Sequence, residues 1–272
     1  MNPNRRAGKE VMGCDSGDAG GIFEWEPGEG REQQKHNLTL VGKLWTAKGV
    51  NAKAVIDTMT KIWSPTKPII GNIVDAKEKL FVFKFPDIRE KEKVLEGQPW
   101  HFDKAAWCFN EPNENGKMTD VPLFHLPIWV RIYDLPISGR SNESNIQRLC
   151  GQLGTFVAKG EDEGDGVDRA IRIRVLHDVR QAVKASVGIK MRGGEVVRFD
   201  VKYERLPNFC YGCGLMGHGE RDCDEGPYEE HELQFGDWLR ASPRKIMKVA
   251  GSVPLKAARD LSSIFDAEKR KK

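Results

Sequence analysis

Between positions 38 and 109, the spacing of apolar residues switches between the period of a strand and the period of a helix. In chain order, it predicts strands at residues 38–44, 69–74, 80–85 and 100–109, with helices at 50–63 and 87–97. Asn51 and Asp87 are N-cap candidates, and Glu90 would complete a capping box with Asp87. The order βαββαβ predicts a ferredoxin-like α+β domain over residues 37–111, in which two helices cover one antiparallel sheet.

Three alternating phenylalanines in the third predicted strand share one face of this sheet. The strand ends at Phe85, just before Pro86 and the start of a covering helix. Because side chains alternate along a strand, Phe81 and Phe83 face the same way as Phe85, and all three are predicted to pack under the helix in the core. The alternative is base stacking, since the same architecture occurs in RNA-recognition motifs, whose sheet aromatics stack on bases. The matching first-strand position is Leu40, which cannot stack, so we expect a degenerate relative of that motif.

A polar break at residues 110–120 precedes a second small α/β unit, predicted to span residues 122–207. Its first strand lies within residues 126–136, and a short amphipathic helix, 146–153, stops at Gly154. An acidic, glycine-rich loop at residues 160–168 then leads to three strands at about 170–176, 185–192 and 195–203. This unit has the pattern of a shortened copy of the first.

The last three strands of the second unit alternate apolar and basic residues. If they are neighbours, six cations share one sheet face and form a candidate phosphate-contacting surface: Arg172, Arg174, Lys190, Arg192, Arg198 and Lys202. The alternative is an ordinary solvated sheet face, in which Asp200 and Glu204 dilute the charge.

Residues 208–224 contain three cysteines and one histidine in the spacing Cys-x2-Cys-x4-His-x4-Cys. Cys210, Cys213, His218 and Cys223 offer three thiolates and one imidazole, the donor set of a closed tetrahedral Zn²⁺ site. We therefore expect one structural zinc ion. Because protein side chains fill all four positions, no open position remains for a reactive water.

The loop resembles a CCHC zinc knuckle of the retroviral nucleocapsid and retrotransposon type, with Tyr211 after the first cysteine and Gly217 before the histidine. The resemblance implies binding of single-stranded nucleic acid, RNA more than DNA, with Tyr211 stacking on a base. The knuckle departs from that family because acidic residues surround it: Glu220, Asp222, Asp224, Glu225, Glu229, Glu230 and Glu232, against Arg221. An acidic surround should weaken phosphate contacts.

Several further motifs extend the resemblance over about residues 36–242. They are Leu40-Val41-Gly42-Lys43-Leu44, Gly97-Gln98-Pro99-Trp100, Leu126-Pro127-Ile128-Trp129-Val130-Arg131, the run from Val201 to Cys210, and Phe235-Gly236-Asp237-Trp238-Leu239-Arg240. In this order they are similar to the plant domain-of-unknown-function family that precedes a CCHC knuckle in the first open reading frame of LINE-type retrotransposons. The resemblance implies a Gag-like nucleic-acid-binding protein, from an active element or from a host-derived copy.

Composition adds few constraints to this picture. The 272 residues carry a net charge of +3 and six cysteines, and Cys14, Cys108 and Cys150, outside the metal motif, are widely separated. We expect a reducing, intracellular location, nuclear or cytoplasmic, because the first residues lack an apolar signal core and no apolar run is long enough for a membrane span. Residues 1–36 are too polar to order themselves and are predicted to be disordered, and residues 225–272 to be an acidic and then basic tail.

No catalytic constellation stands out in the sequence, so we do not expect an enzyme. Two functions remain open. The first is a zinc-dependent nucleic-acid-binding protein, in which the basic sheet positions phosphates and Tyr211 stacks on a base. The second is a zinc-stapled protein-interaction or self-association module, in which the acidic surround binds a basic partner. No small-molecule substrate and no membrane are expected.

Overall fold

The computed structural model describes residues 37–63, 65–112, 116–160 and 170–242. The predictions made for residues 1–36, for the acidic loop beyond Gly160 and for the basic tail end lie outside these ranges. The first unit contains β1 (Thr39–Trp45), α1 (Ala52–Ile62), β2 (Ile70–Asp75), β3 (Leu80–Lys84), α2 (Ile88–Glu96), β4 (His101–Phe102) and β5 (Ala105–Asn110).

The first unit has the ferredoxin-like arrangement predicted from the sequence. Its five strands are antiparallel in the order β2-β3-β1-β5-β4. Asn51 caps α1 through a 3.1 Å bond from the Ala54 amide, and Asp87 caps α2 through a 3.0 Å bond from the Glu90 amide. The side chain of Glu90 accepts from Thr66 and Lys93, so the capping box is not the arrangement found.

The predicted fourth strand is a hairpin of two strands. Asp103 and Lys104 have φ values of +47° and +62°, which form the tight turn between β4 and β5. Two consecutive positive φ values are typical of the two-residue turns that match strand twist. This turn lacks the usual glycine or asparagine. The apolar pattern therefore predicted one continuous strand over both β4 and β5.

The helix-covered face of the first sheet is an aromatic core. Phe81, Phe83 and Phe85 are all buried there, which confirms their predicted packing role. The Trp107 and Phe109 rings stack 5.1 Å apart and cover Gly42, where an added Cβ would lie 2.5 Å from the Phe109 ring. Glycine in the middle of β1 therefore permits close packing of the rings.

The second unit repeats the strand order of the first. It contains β6 (His125–Tyr133), α3 (Glu143–Gly151), β7 (Thr155–Lys159), β8 (Ala170–Asp178), β9 (Ser186–Lys190) and β10 (Val196–Tyr203). The sheet order β7-β8-β6-β10-β9 matches β2-β3-β1-β5-β4 strand for strand. The counterpart of α2 is missing from the described residues between β8 and β9, and β7 was not foreseen in the sequence.

The face of the first sheet opposite its helices is covered by the second unit. Val41, Ala106 and Cys108 on that face belong to the same buried cluster as Ile128 and Val130 of β6. In an RNA-recognition motif this face carries the base-stacking aromatics. Here it is an interface inside the chain.

Two arginines of the second half of the chain bond to the end of α2. Arg174 donates to the carbonyl oxygens of Glu96 and Gln98 at 3.1 and 3.2 Å, and Arg205 donates to that of Gly97 at 3.0 Å. The last carbonyls of a helix have no partner within it and carry partial negative charge. The two guanidinium groups satisfy these carbonyls and fix the second unit against the first.

Candidate metal centre and basic surface

The four predicted zinc ligands converge at one point. The ligand atoms of Cys210, Cys213, His218 and Cys223 all lie within 4.8 Å of one another, and Cys213 Sγ lies 3.4 Å from His218 Nε2. Bond lengths of about 2.3 Å to sulfur and about 2.0 Å to nitrogen place tetrahedral ligand atoms about 3.5–3.8 Å apart. The donor set and its spacing therefore fit one Zn²⁺, with His218 binding through Nε2.

Backbone hydrogen bonds fold the loop around this point. The Cys210 amide donates to Leu215 O and the Gly214 amide donates to Cys210 O, both at 2.9 Å, while Phe209 and Met216 form an antiparallel bridge. Gly214 and Gly217 have φ values of +80° and +97°, which side chains rarely adopt. The glycines therefore allow the reversals that turn three thiols and the imidazole inwards.

The knuckle, defined as residues 208–224, is hydrogen-bonded to both units. The Ala47 amide after β1 donates to Gly217 O at 2.9 Å, and the Val183 amide between β8 and β9 donates to Gly214 O at 3.0 Å. The Asn208 amide donates to Lys104 O at the tip of the β4–β5 hairpin, at 2.7 Å. Phe209 and Met216 are buried in the apolar cluster that both units share, so the knuckle is part of the fold.

Tyr211 is held by contacts on several sides. Its hydroxyl donates to Asp237 Oδ1 at 2.7 Å, its amide donates to Glu220 Oε1 at 2.9 Å, and its ring lies 5.1 Å from that of Phe209. Burial and the neighbouring Asp237 raise the pKa of the phenol. The ring is half-buried and fixed in place, and part of its surface stays open.

Part of the segment predicted to be a tail packs beside the knuckle. Leu239 is fully buried, the Ala241 amide donates to Tyr203 O at 2.8 Å, and Arg240 donates to the carbonyls of Leu206 and Pro207. Trp238 in the same short turn is 52% exposed. Sequence reasoning assigned Trp238 no role, because only its exposure on a fixed turn singles it out.

The six predicted cations do not share one environment. Arg174 is only 8% exposed, and burial lowers its pKa to about 10, so it stays charged at neutral pH while it binds the end of α2. Arg172 stacks on Trp129, 3.5 Å from the ring centre, and donates two 2.9 Å hydrogen bonds to Glu204. Arg131, on the same face, donates to Glu204 at 2.7 Å. These arginines bind partners within the chain.

Replacing Glu204 by glutamine is expected to lower the free energy of unfolding by about 1–2 kcal/mol, because two half-buried guanidinium groups lose their countercharge. Burial raises the pKa of Glu204, but Arg172 and Arg131 outweigh it, and the net pKa is lowered. The stabilisation is therefore present at neutral pH and is lost as the pH falls through this lowered value. Urea unfolding at neutral and acidic pH measures it.

Glu78→Gln is the matched control for this prediction. Glu78 also accepts from a cation, Lys43, at 2.7 Å, but its side chain is 58% exposed. We expect little change, because exposed ion pairs contribute little to stability. If the two substitutions change the free energy of unfolding equally, the contacts of Glu204 with Arg131 and Arg172 have no special structural role.

The other four predicted cations point to solvent. Lys190, Arg192 and Arg198 are exposed and Lys202 is half-buried, with its ammonium group 5.7 Å from the centre of the Tyr133 ring. Lys190, Arg198 and Lys202 share one sheet face, and Arg192 follows β9 in a turn. Of the six predicted cations, Arg172 and Arg174 therefore bind partners within the chain, and the other four are accessible to a ligand.

The cysteines outside the knuckle are inert packing groups where the structure describes them. Cys108 and Cys150 are fully buried, and burial raises the pKa of both thiols, to about 12 for Cys150. Thiols with a raised pKa carry little nucleophilic thiolate. Within the described ranges, no helix combines the length and the hydropathy needed to cross a bilayer.

Comparisons with known proteins match the first unit and the knuckle region to known families. A zinc knuckle family model, zf-CCHC_4, matches residues 177–225, and the model of a domain of unknown function, DUF4283, matches residues 32–110. The chain thus carries a DUF4283 domain followed by a CCHC zinc knuckle, an order typical of plant retrotransposon Gag-like proteins. None of the curated proteins matches it significantly.

One solved structure similar to this chain is described as a Sxl-lethal protein/RNA complex. The two chains share 14% sequence identity, with 61% of this chain and 98% of that chain covered and a TM-score of 0.25.

Proposed function

We propose that this chain is a zinc-dependent nucleic-acid-binding protein of the retrotransposon Gag-like type that prefers single-stranded RNA to DNA. The observation that carries the proposal is the Cys210, Cys213, His218 and Cys223 cluster, which a zinc knuckle model matches and a DUF4283 domain precedes. Zinc knuckles are among the common RNA-recognition modules. An origin in the first open reading frame of a LINE-type element belongs to the same proposal.

In this function, zinc fixes the knuckle and the side chains around it bind the ligand. Tyr211 and the exposed Trp238 present rings on which bases can stack. Such stacking does not depend on the base sequence, because every base has a flat π-face. The accessible cations Arg198 and Lys202 contact phosphates, whereas Arg172 and Arg174 support the fold. The ligand does not use the sheet face of the first unit, because the second unit covers it.

We infer a binding role without catalysis. Four protein donors complete a tetrahedral zinc, which leaves no position for an activated water. The thiols that the structure describes outside the knuckle are buried and have raised pKa values. Neither group offers a reactive atom to a substrate.

A second function is favoured by the charge around the knuckle. Six acidic side chains beside it are exposed: Asp222, Asp224, Glu225, Glu229, Glu230 and Glu232. A surface of this sign attracts a basic partner and repels phosphates. The zinc-stapled knuckle would then be a platform for a basic protein or for a basic segment of a second copy.

Titration of labelled single-stranded RNA at several salt concentrations tests the first function. The zinc-loaded chain is expected to bind, with the logarithm of the association constant falling linearly with the logarithm of the salt concentration. His218→Ala should weaken binding by at least about fivefold, since loss of one stacked base costs about 1–3 kcal/mol. DNA of the same sequence is expected to bind more weakly.

His231→Ala is the matched control, because it removes an exposed histidine outside the ligand set. It should leave RNA binding unchanged. If the zinc-loaded chain fails to bind RNA at low salt, the nucleic-acid function is wrong, and binding of a basic peptide under the same conditions would support the second function.

A further inference from the structure

A groove on the second unit brings together cations that the sequence pattern did not connect. It runs between α3, the loop that follows β6 and the end of β9, and it has a volume of about 930 Å³. Four of its lining residues are basic: Arg140, Arg148, Lys190 and Arg192. Only Lys190 and Arg192 belong to the set predicted from alternation, because the other two come from a loop and a helix.

Arg140 is held by the chain, since its guanidinium donates to the carbonyl oxygen of Leu135, and the other three cations of the groove differ from it. Arg148, Lys190 and Arg192 are exposed, and none of them forms an ion pair in the part of the chain that the structure describes. No acidic residue is among those described as lining the groove. Arg172 and Arg174 on the same unit differ, since both are bonded to oxygen atoms of the chain.

The floor of the groove is apolar. Leu135, Ile146 and Leu149 are buried beneath it, and Ile189 and Met191 are half-buried at its β9 side. An apolar floor with a cationic rim suits a ligand that has flat apolar parts and regularly spaced anionic groups. Nucleobases and phosphates supply these parts in alternation.

Lys190 also begins a row of cations along the β9–β10 hairpin, on the sheet face that alternates with the apolar one. Lys190 pairs with Val196 and Gly188 pairs with Arg198, so Lys190 and Arg198 lie on the same face of adjacent strands. Lys202 follows Arg198 on that face, about 13 Å further along β10. Asp200 lies between them and reduces the charge. A row of this length fits an extended polyanion better than a single nucleotide.

We propose that this groove is the phosphate-binding track of the protein, in which a stretch of single-stranded nucleic acid places its phosphates on Arg148, Lys190 and Arg192 and a base on the apolar floor. The inference rests on the proposed function and assigns the main electrostatic contact to residues outside the acidic surround of the knuckle. The knuckle then contributes stacking, and the groove contributes most of the salt-dependent affinity.

A triple variant, Arg148→Ala, Lys190→Ala and Arg192→Ala, tests the groove against a control of equal charge. The control is Lys53→Ala, Lys67→Ala and Arg89→Ala, three exposed cations of the first unit. Labelled poly-uridine is titrated into both variants and the parent chain over a series of salt concentrations. Thermal unfolding and zinc content check that all three proteins are folded and zinc-loaded.

The groove variant is expected to bind more weakly and to lose about 2 units of the log-log salt slope, at roughly 0.7 for each lost phosphate contact. The control should keep nearly the full slope. Equal losses in the two variants, or an unchanged slope in the groove variant, would overturn the groove while leaving the proposed function intact. If the parent chain binds no poly-uridine, both proposals fail together.

An oligoglutamate competitor distinguishes the other class of ligand that could use these cations. If the parent chain binds oligoglutamate through the groove residues and poly-uridine does not displace it, the groove is a site for acidic peptides and the inference is wrong. Displacement by poly-uridine at the expected salt dependence supports it.

Discussion

Replacing His218 by alanine is expected to abolish tight binding of one zinc ion and to lower the stability of both sheets. Zinc binding to short finger peptides releases on the order of 10 kcal/mol at neutral pH, and this energy is folding energy. Here the metal loop is bonded to the segment after β1 through Gly217 and to the segment before β9 through Gly214. Loss of the metal should therefore release contacts of both units.

Zinc content after gel filtration and the midpoint of thermal unfolding measure the two effects. The parent chain should carry one zinc ion per chain, and chelation should lower its midpoint to that of His218→Ala. His231→Ala provides the control, since this histidine is exposed and outside the cluster. A His218→Ala protein that retains one tightly bound zinc would show that the metal site has been assigned wrongly.

Replacing Gly154 by alanine is expected to destabilise the chain by at least about 3 kcal/mol, and such a protein should express poorly. Gly154 turns the chain from α3 into β7 with a φ of +152°, which a residue with a Cβ rarely adopts. An added Cβ would also lie 2.3 Å from the carbonyl oxygen of Leu176. That oxygen belongs to the backbone of β8, so it cannot move aside as a side chain can.

Gly151→Ala, three residues earlier, is the matched control for this substitution. Gly151 ends α3, is exposed, and has nothing within 4 Å of the position of an added Cβ. It should be neutral or slightly stabilising, because alanine favours helix more than glycine does. Chemical unfolding of both variants gives the comparison, and a Gly154→Ala protein as stable as Gly151→Ala would refute the backbone clash.

The metal centre could be predicted from the sequence because its geometry is local. Fourteen positions from Cys210 to Cys223 hold all four donors, and the spacing alone limits how they can meet. The first sheet was also predictable, since alternation and the caps at Asn51 and Asp87 act over a few residues. The β4–β5 turn was missed for the same reason, because Asp103 and Lys104 give no strong local turn signal.

The basic surface could not be predicted, because residues far away in the sequence determine which of its cations are paired within the chain and which are accessible. Alternation places Arg172 and Arg174 on one face, but it says nothing of Glu204 or of the carbonyls at Glu96 and Gln98. Those partners lie 32 to 78 residues away along the chain. The groove has the same origin, because Arg148 on α3 meets Lys190 on β9 only after the unit has folded.

The hydrogen bonds between the knuckle and the two units have a thermodynamic consequence. Zinc binding and folding are reciprocally coupled, so zinc stabilises the folded chain by the same free energy by which folding tightens zinc binding. Zinc affinity then depends on the whole fold and partly on Ala47 and Val183, which are outside the ligand set. When zinc is limiting, the fraction of folded chains would fall with the zinc concentration, and the amount of nucleic acid bound would fall with it.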